Sequence, residues 1–175
     1  MRNSVAVMMS IGCLCLGAGV ALAAKSSGPG MQIISGKSPQ EAGAAALNEA
    51  EMLANGGTWE LIAVARVHYL SGDKAKGQAV IDRVMSGKTD HNDWQRIGQV
   101  YAAAGENDKA EQYFERALAD DPKDDTGQAE IGAWYIRIGK REQGEALLAK
   151  AFAHNPDDGS HYLRAAEAFL NVPPN

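Results

Sequence analysis

A repeat distance of 34 residues is the feature that most restricts the fold of this 175-residue chain. Within residues 91–158, several residue types recur at that interval. The recurring pairs are Ile97/Ile131, Gly98/Gly132, Tyr101/Tyr135, Gly105/Gly139, Ala117/Ala151 and Pro122/Pro156. An interval of this length is typical of a unit of two helices. Because one such unit cannot bury its apolar face alone, we expect an all-α solenoid of stacked antiparallel helix pairs with a long concave surface.

Within one repeat, the spacing of residue types predicts a helix, a turn, a second helix and a stop. Trp94, Ile97 and Tyr101 recur at helical spacing and predict the buried face of a first helix. Gly105 follows at the place where a left-handed residue commonly ends a helix. Pro122 marks the end of the second helix, because a proline ring interrupts the ladder of backbone hydrogen bonds.

These positions resemble the signature of the tetratricopeptide repeat family. The match is most specific in the unit at residues 91–124. Its signature residues are Trp94, Ile97, Gly98, Tyr101, Gly105, Ala110, Phe114, Ala117 and Pro122. The resemblance implies a solenoid of about three repeats with flanking helices, and a function in binding other proteins.

Two neighbouring units follow the same pattern less closely. The unit at residues 125–158 differs at Gln128, which replaces the aromatic residue, and at Gly144, which replaces the alanine. The glycine predicts looser packing of the second helix. A more divergent unit at residues 58–90 is one residue shorter and has His68 in a tyrosine position, where we expect it to lie in the core.

Further segments flank the three repeats. Residues 38–57 are predicted to form one helix, which begins with a capping box at Ser38 and Glu41 and ends at an Asn-Gly-Gly stop. This helix resembles the second helix of a degenerate repeat. Residues 159–175 are predicted to form a C-terminal cap helix and tail, in which Tyr162 and Phe169 match first-helix positions.

The first 24 residues have the pattern of an export signal. Arg2 precedes an apolar run over residues 5–24 that lacks charge, and Ala21-Leu22-Ala23 supplies a small-x-small cleavage pattern. We therefore expect residues 1–24 to be a secretory signal peptide. An uncleaved membrane anchor is the alternative, since about 20 apolar residues can span a bilayer.

Lipoprotein processing is a third interpretation of this N-terminal segment, at Cys13 or Cys15. The usual leucine is absent before Cys13, which disfavours it. Cleavage after residue 24 would remove both cysteines and so exclude disulfide and thiolate chemistry. Residues 25–37, which are rich in Ser, Gly and Lys, are predicted to be a flexible linker. Together these features favour a bacterial periplasmic location.

The charge of the chain disfavours a nucleic-acid partner. Its formal net charge is −5, and acidic pairs such as Asp120-Asp121 and Asp157-Asp158 gather at the predicted turns. Phosphate binding requires a basic face. The acidic pairs are typical of helix caps and solvated turns, and they lack the ligand spacing of a calcium loop. We expect neither nucleic-acid binding nor membrane insertion of the repeat domain.

The sequence contains no recognisable enzyme motif. Four histidines, at positions 68, 91, 154 and 161, are dispersed, and none lies in a His-Glu-x-x-His arrangement. There is no Gly-x-Ser-x-Gly motif and no phosphate-binding glycine loop. Because His91, His154 and His161 lie near helix ends, we expect surface or capping roles for them. The chain is predicted to be non-enzymatic, without catalytic residues, a metal or a cofactor.

The resemblance implies that a partner binds in the concave groove, which first-helix positions line. The candidate groove residues are Trp59, Ile62, Arg66, Tyr69, Asn92, Gln95, Gln99, Arg137 and Glu167. Trp59, Tyr69 and Arg66 form the sharpest candidate site, because aromatic residues beside a guanidinium often anchor a bound peptide. The alternative for Trp59 is packing on the preceding helix. This groove lacks the lysine and asparagine set with which chaperone-binding relatives hold a terminal carboxylate.

The leading functional hypothesis is a scaffold or adaptor in the cell envelope that binds a segment of another envelope protein. An alternative is a self-associating structural or assembly factor of a secretion, polysaccharide-export or cell-wall complex, formed by pairing of the end helices. An oligosaccharide ligand would require stacked aromatic residues, which only Trp59 and Tyr69 offer.

Overall fold

The computed structural model describes residues 30–173 of the chain. This part begins with a short 3-10 helix, Gly30–Ile33, and continues with eight α-helices. They are α1 (Pro39–Leu53), α2 (Thr58–Leu70), α3 (Lys74–Met85), α4 (His91–Ala103), α5 (Asn107–Asp120), α6 (Asp125–Arg137), α7 (Arg141–His154) and α8 (Gly159–Phe169). Residues 30–173 contain no strand, so the expected all-α class is confirmed.

The helices pack as three consecutive pairs. The most extensive contacts join α2 to α3, α4 to α5 and α6 to α7, and these pairs lie within the predicted units at residues 58–90, 91–124 and 125–158. The first helices also contact one another in series, α2 with α4, α4 with α6 and α6 with α8. The expected α-solenoid of stacked helix pairs is therefore present, and its first helices form a continuous row.

The sequence signals at the helix ends act as expected. Ser38 and Glu41 form both hydrogen bonds of the capping box at the start of α1. Gly105 has a φ of +77° and lies between α4 and α5, where a side chain would strain the backbone. The amide of Glu106 then donates to the carbonyl of Tyr101, which satisfies one of the exposed carbonyls at the end of α4.

The crossing of α6 and α7 differs from the sequence prediction. We expected Gly144 to loosen this pair, yet a Cβ at residue 144 would lie 2.5 Å from the carbonyl oxygen of Gly132 and 2.6 Å from Cγ1 of Ile136. The prediction of looser packing is wrong. Two glycines that face each other let the two backbones approach more closely than any side chain allows.

Aromatic contacts join successive repeats inside the core. Phe114, from α5, is fully buried and meets Tyr135 of the next pair edge-on, with ring centroids 5.7 Å apart. Tyr69 and Tyr101 make a similar contact at 5.5 Å between the first two pairs. Both of these tyrosine hydroxyls donate to Oε1 of Gln78, at 2.7 and 3.0 Å. The first two repeats and part of the third therefore share one core, and a second, smaller cluster in α6 and α7 is formed by Ala129, Leu148 and Ala151.

The histidines occupy different environments. His68 is buried, as its tyrosine position predicted. The expected surface or capping role is wrong for His161, whose side chain is fully buried. His161 lies 34 residues after Gly127, which is also buried, so this helical position faces the interior of the stack. Neither ring nitrogen of His161 has a hydrogen-bond partner among residues 30–173.

The described residues include only part of the N-terminal segment for which the sequence made predictions. The signal peptide at residues 1–24 lies outside the described residues. Within the predicted linker, residues 25–37, Gly30–Ile33 form a 3-10 helix that contacts α1, which the Ser- and Gly-rich composition did not indicate. Over residues 30–173, no helix combines the length and the apolar character needed to cross a bilayer.

Glu106 connects two helix pairs by electrostatics. Its carboxylate accepts hydrogen bonds from Lys109 at 2.7 Å and from Lys74 at 2.9 Å, and these bonds lower the pKa of Glu106. A lowered folded-state pKa stabilises the fold above the ordinary value of 4.5, and the contribution is lost as the pH falls.

We expect Glu106→Gln to cost under about 1 kcal/mol at neutral pH. In urea denaturation the difference from wild type should shrink as the pH falls below 4.5 and through the lowered pKa. A difference that persists in strong acid would contradict this assignment.

Candidate functional site

An open groove runs along the row of first helices, α2, α4, α6 and α8. Its volume is about 420 Å³, and the C-terminal tail reaches one end of it. The lining residues are Trp59, Ile62, Ala63, Arg66, Arg96, Gln99, Val100, Ala103, Glu130, Ala133, Trp134, Arg137, Arg164, Glu167 and Pro173. The groove is thus made by the helices that the repeat pattern assigns to a concave surface.

Most of the residues predicted for the groove are found there. They are Trp59, Ile62, Arg66, Gln99, Arg137 and Glu167. Trp59 is 54 % exposed, which disfavours the alternative that α1 covers it. The guanidinium carbon of Arg96 lies 3.8 Å from the centre of the Trp59 ring. This stacking holds the indole open to the groove and adds a cation–π attraction.

Three other predicted residues are not among the lining residues. Tyr69 is 4 % exposed, because its ring is turned toward α3 and its hydroxyl is bonded to Gln78. Gln95 is also buried, at 7 % exposure, and its amide nitrogen donates to Glu130. The amide of Asn92 contacts the ring of the adjacent residue, His91, at 3.0 Å. Tyr69 and Gln95 are therefore used for packing rather than for lining the groove.

Sequence reasoning missed Arg96, Glu130, Trp134 and Arg164, which also line the groove. A signal for three of them was available. Arg96, Glu130 and Arg164 each lie three residues before a first-helix groove position, at Gln99, Ala133 and Glu167. Residues three apart on a helix share a face. The helical period would thus have placed these charged side chains in the groove.

At the α2 end of the groove, two arginines have no acidic partner among residues 30–173. Arg66 is exposed, and within residues 30–173 it forms no ion pair. Arg96 is also exposed and, over the same residues, its only specific contact is with the Trp59 ring. Glu60, the acidic neighbour of Trp59, is folded back toward Gly57 at the start of its own helix.

At the α8 end, the groove charges are already paired. The Glu130 carboxylate accepts from the amides of Gln95 at 2.5 Å and Gln99 at 3.1 Å, and it lies 3.8 Å from Arg164. Arg164 also donates to Glu167 at 2.7 Å. These bonds connect α4, α6 and α8 across the floor of the groove. The network therefore fixes the side chains before any ligand arrives.

The C-terminal tail closes this end of the groove. Asn171 has a φ of +55°, which ends α8 and turns the chain back, and the amide of Val172 donates to the carbonyl of Glu167. The guanidinium of Arg137 donates to the carbonyl of Val172. Partial burial lowers the pKa of Arg137, although an arginine stays charged at neutral pH.

Removing the central carboxylate should weaken the fold around the groove. In Glu130→Ala, the buried amide of Gln95 would lose its acceptor, so we expect a loss of about 1 to 2 kcal/mol in the free energy of unfolding. Glu145→Ala is the matched control, because Glu145 makes only an exposed bond within its own helix and should cost under about 0.5 kcal/mol. Urea denaturation of both variants checks this. Equal losses would mean that the network does not stabilise the groove.

The described residues offer little for metal chemistry. Among residues 30–173, no group of three or more His, Cys, Asp or Glu side chains is arranged to hold a metal ion. The polar groups of the groove are instead guanidinium, amide and paired carboxylate. Such groups suit the backbone and side chains of a bound polypeptide.

Comparison with known proteins supports the family resemblance for the C-terminal part of the chain. Residues 101–169, from the end of α4 to the end of α8, match a family model described as Tetratricopeptide repeat. No curated protein and no solved structure shows a significant match to the chain. The matched range contains α5, the α6–α7 pair, α8 and the glycine turns at residues 105 and 139. Residues 101–169 are therefore identified as tetratricopeptide repeats.

Proposed function

We propose that this protein is a non-enzymatic scaffold or adaptor that binds a segment of a partner protein in the groove between α2, α4, α6 and α8. The observation that carries the proposal is the open groove itself, in which Trp59 is 54 % exposed and which Arg66 also lines. Tryptophan and arginine are enriched at binding hot spots.

The length of the groove suits an extended peptide. The four first helices contact in series, and neighbouring helices are about 9 Å apart, so the row spans roughly 27 Å. An extended chain covers that distance with about 8 residues. A segment of this length could contact Trp59 at one end and the network around Glu130 at the other.

The cell envelope is the proposed location, and another envelope protein is the proposed partner. The support comes from residues 1–24, whose apolar run and small-x-small pattern are typical of a secretory signal peptide. The Ser- and Gly-rich segment that follows would separate the repeats from the export signal. A bacterial periplasm is the compartment that fits this arrangement.

Affinity capture tests the groove. The tagged chain and its Trp59→Ala, Arg66→Glu, Gln99→Ala variant are compared for the proteins that each retains from an envelope extract. A control variant, Gln112→Ala with Arg116→Glu, changes exposed residues of α5 outside the groove. We expect the groove variant alone to lose its partner, with at least about a 30-fold weaker affinity, since hot-spot residues contribute about 2 kcal/mol or more. Equal capture by all three proteins would contradict the proposal.

Self-association is the second candidate, and the exposed face of α8 favours it. Tyr162, Leu163, Phe169 and Leu170 on or next to this helix are each about half exposed or more. An apolar face at the end of a repeat stack can pair with another copy. Light scattering of the chain over a range of concentrations tests this candidate. A monomer at the highest concentration would exclude it.

A further inference from the structure

We infer that the partner segment is acidic, and that its carboxylates bind Arg66 and Arg96 beside Trp59 at the α2 end of the groove. This inference rests on the proposed function of the groove, and it names the chemistry of the occupant. Two features carry it: the charge balance of the groove, and the contrast between its free and its paired arginines.

The groove is basic although the chain is acidic. Its lining includes four arginines, at positions 66, 96, 137 and 164, and only two carboxylates, Glu130 and Glu167. Arginine charges thus exceed carboxylate charges by two in the groove, whereas the chain has a formal net charge of −5. Acidic side chains outside the groove repel an acidic partner from the rest of the protein surface. The groove is therefore the favoured place for such a partner to bind.

The four arginines fall into two classes. At the α8 end, Arg164 is paired with Glu130 and Glu167, and Arg137 is bonded to the carbonyl of Val172. These side chains are satisfied within the chain. At the α2 end, Arg66 and Arg96 are exposed and form no ion pair within residues 30–173. The free positive charge is therefore concentrated at one end.

The geometry at the α2 end is prepared for a carboxylate. Stacking on the Trp59 ring at 3.8 Å holds the Arg96 guanidinium in place, so less side-chain entropy is lost when a ligand binds. The edge of a stacked guanidinium keeps its N–H donors free for a bidentate bond to a carboxylate. Arg66 lies within the same groove and supplies a second cation. A segment that carries one apolar and two acidic residues would satisfy Trp59, Arg96 and Arg66 together.

A matched pair of variants separates charge in the groove from charge in general. Arg96 lies 3.8 Å over Trp59 in the groove, and Arg116 lies 3.9 Å over Trp94 outside it. Both arginines are exposed, and each is stacked on an indole. Arg96→Glu and Arg116→Glu are the matched pair, because each changes the net charge by −2, and Arg66→Glu added to Arg96→Glu then reverses the groove charge.

Selection from a library of displayed random peptides tests the inference. The readout is the amino-acid composition of the peptides that the groove retains. Peptides of about 12 residues, longer than the roughly 8 that span the groove, are panned on the full chain, on the Arg66→Glu, Arg96→Glu variant and on Arg116→Glu. We expect the wild type and Arg116→Glu to enrich the same Asp- and Glu-rich peptides. The most enriched peptide should bind the double variant about tenfold more weakly or worse, since exposed charge pairs contribute up to about 1 kcal/mol each.

The outcomes distinguish the inference from the function on which it rests. Enriched peptides that are neutral or basic, and that Trp59→Ala nevertheless releases, would overturn the acidic partner and leave groove binding intact. Failure of the wild type to enrich any peptide over the groove variants would overturn both. Equal loss of acidic peptides in Arg116→Glu would show that overall charge, and not the groove, selects them.

Discussion

Phe114→Ala is expected to lower the free energy of unfolding by about 4 kcal/mol, a large part of the stability of a small domain. The Phe114 ring is fully buried, contacts the first helix of its own repeat where Gly98 leaves room, and meets Tyr135 of the next repeat at 5.7 Å. Its removal opens a cavity where α4, α5 and α6 meet. Urea denaturation followed by far-ultraviolet circular dichroism measures the loss.

Phe169→Ala provides the matched control for this cavity. Phe169 is 48 % exposed at the end of α8, and its specific contact is with the guanidinium of Arg141 at 5.3 Å. Truncating it should cost under about 1 kcal/mol, since about half of the side chain stays in water in the folded state. Similar losses in the two variants would mean that Phe114 does not connect the repeats as described.

Gly144→Ala is expected to destabilise the fold by about 2 to 3 kcal/mol, although alanine is the better helix former. The added methyl group would lie 2.5 Å from the backbone oxygen of Gly132 and 3.0 Å from the backbone nitrogen of Ile136. Backbone atoms within helices cannot give way as a flexible side chain does. We therefore expect α6 and α7 to move apart, with loss of packing along the whole pair.

The same substitution in α1 should have the opposite sign. Gly43 lies within α1, and a Cβ built there meets no atom within 4 Å. Gly43→Ala should stabilise the chain by up to about 1 kcal/mol, through helix propensity alone. Thermal unfolding of the two variants compares them directly. Stabilisation by Gly144→Ala would contradict the close approach of α6 and α7.

Much of the fold followed from the sequence because repeat register and helix-end chemistry are local. The capping box at Ser38 and the left-handed glycine at residue 105 require only neighbouring backbone. The function of Gly144 did not follow, because it depends on Gly132 in another helix. The distance between the two helices sets this property, and spacing along the chain does not reveal it. The burial of His161, in contrast, was available from the 34-residue register, because the equivalent residue Gly127 is also buried.

The groove residues were predictable to the extent that a position faces the same way in every repeat. Trp59 and Gln99 are on the groove face, as first-helix positions implied. Tyr69 and Gln95 are drawn into hydrogen bonds with Gln78 and Glu130, partners in neighbouring helices. The stacking of Arg96 on Trp59 joins α4 to α2, so its detection required the packing of the two helices.

Site-specific photocrosslinking tests the central claim, that the groove is the binding surface, most directly. A photoreactive residue is placed at Ala103, which is exposed in the groove, or at Ala79, which is exposed on α3 outside it. Irradiation of cells that produce either protein should yield a discrete crosslinked product from residue 103 alone. That product should disappear when Arg66 and Arg96 are changed to glutamate. Crosslinks from residue 79 and none from residue 103 would contradict the account.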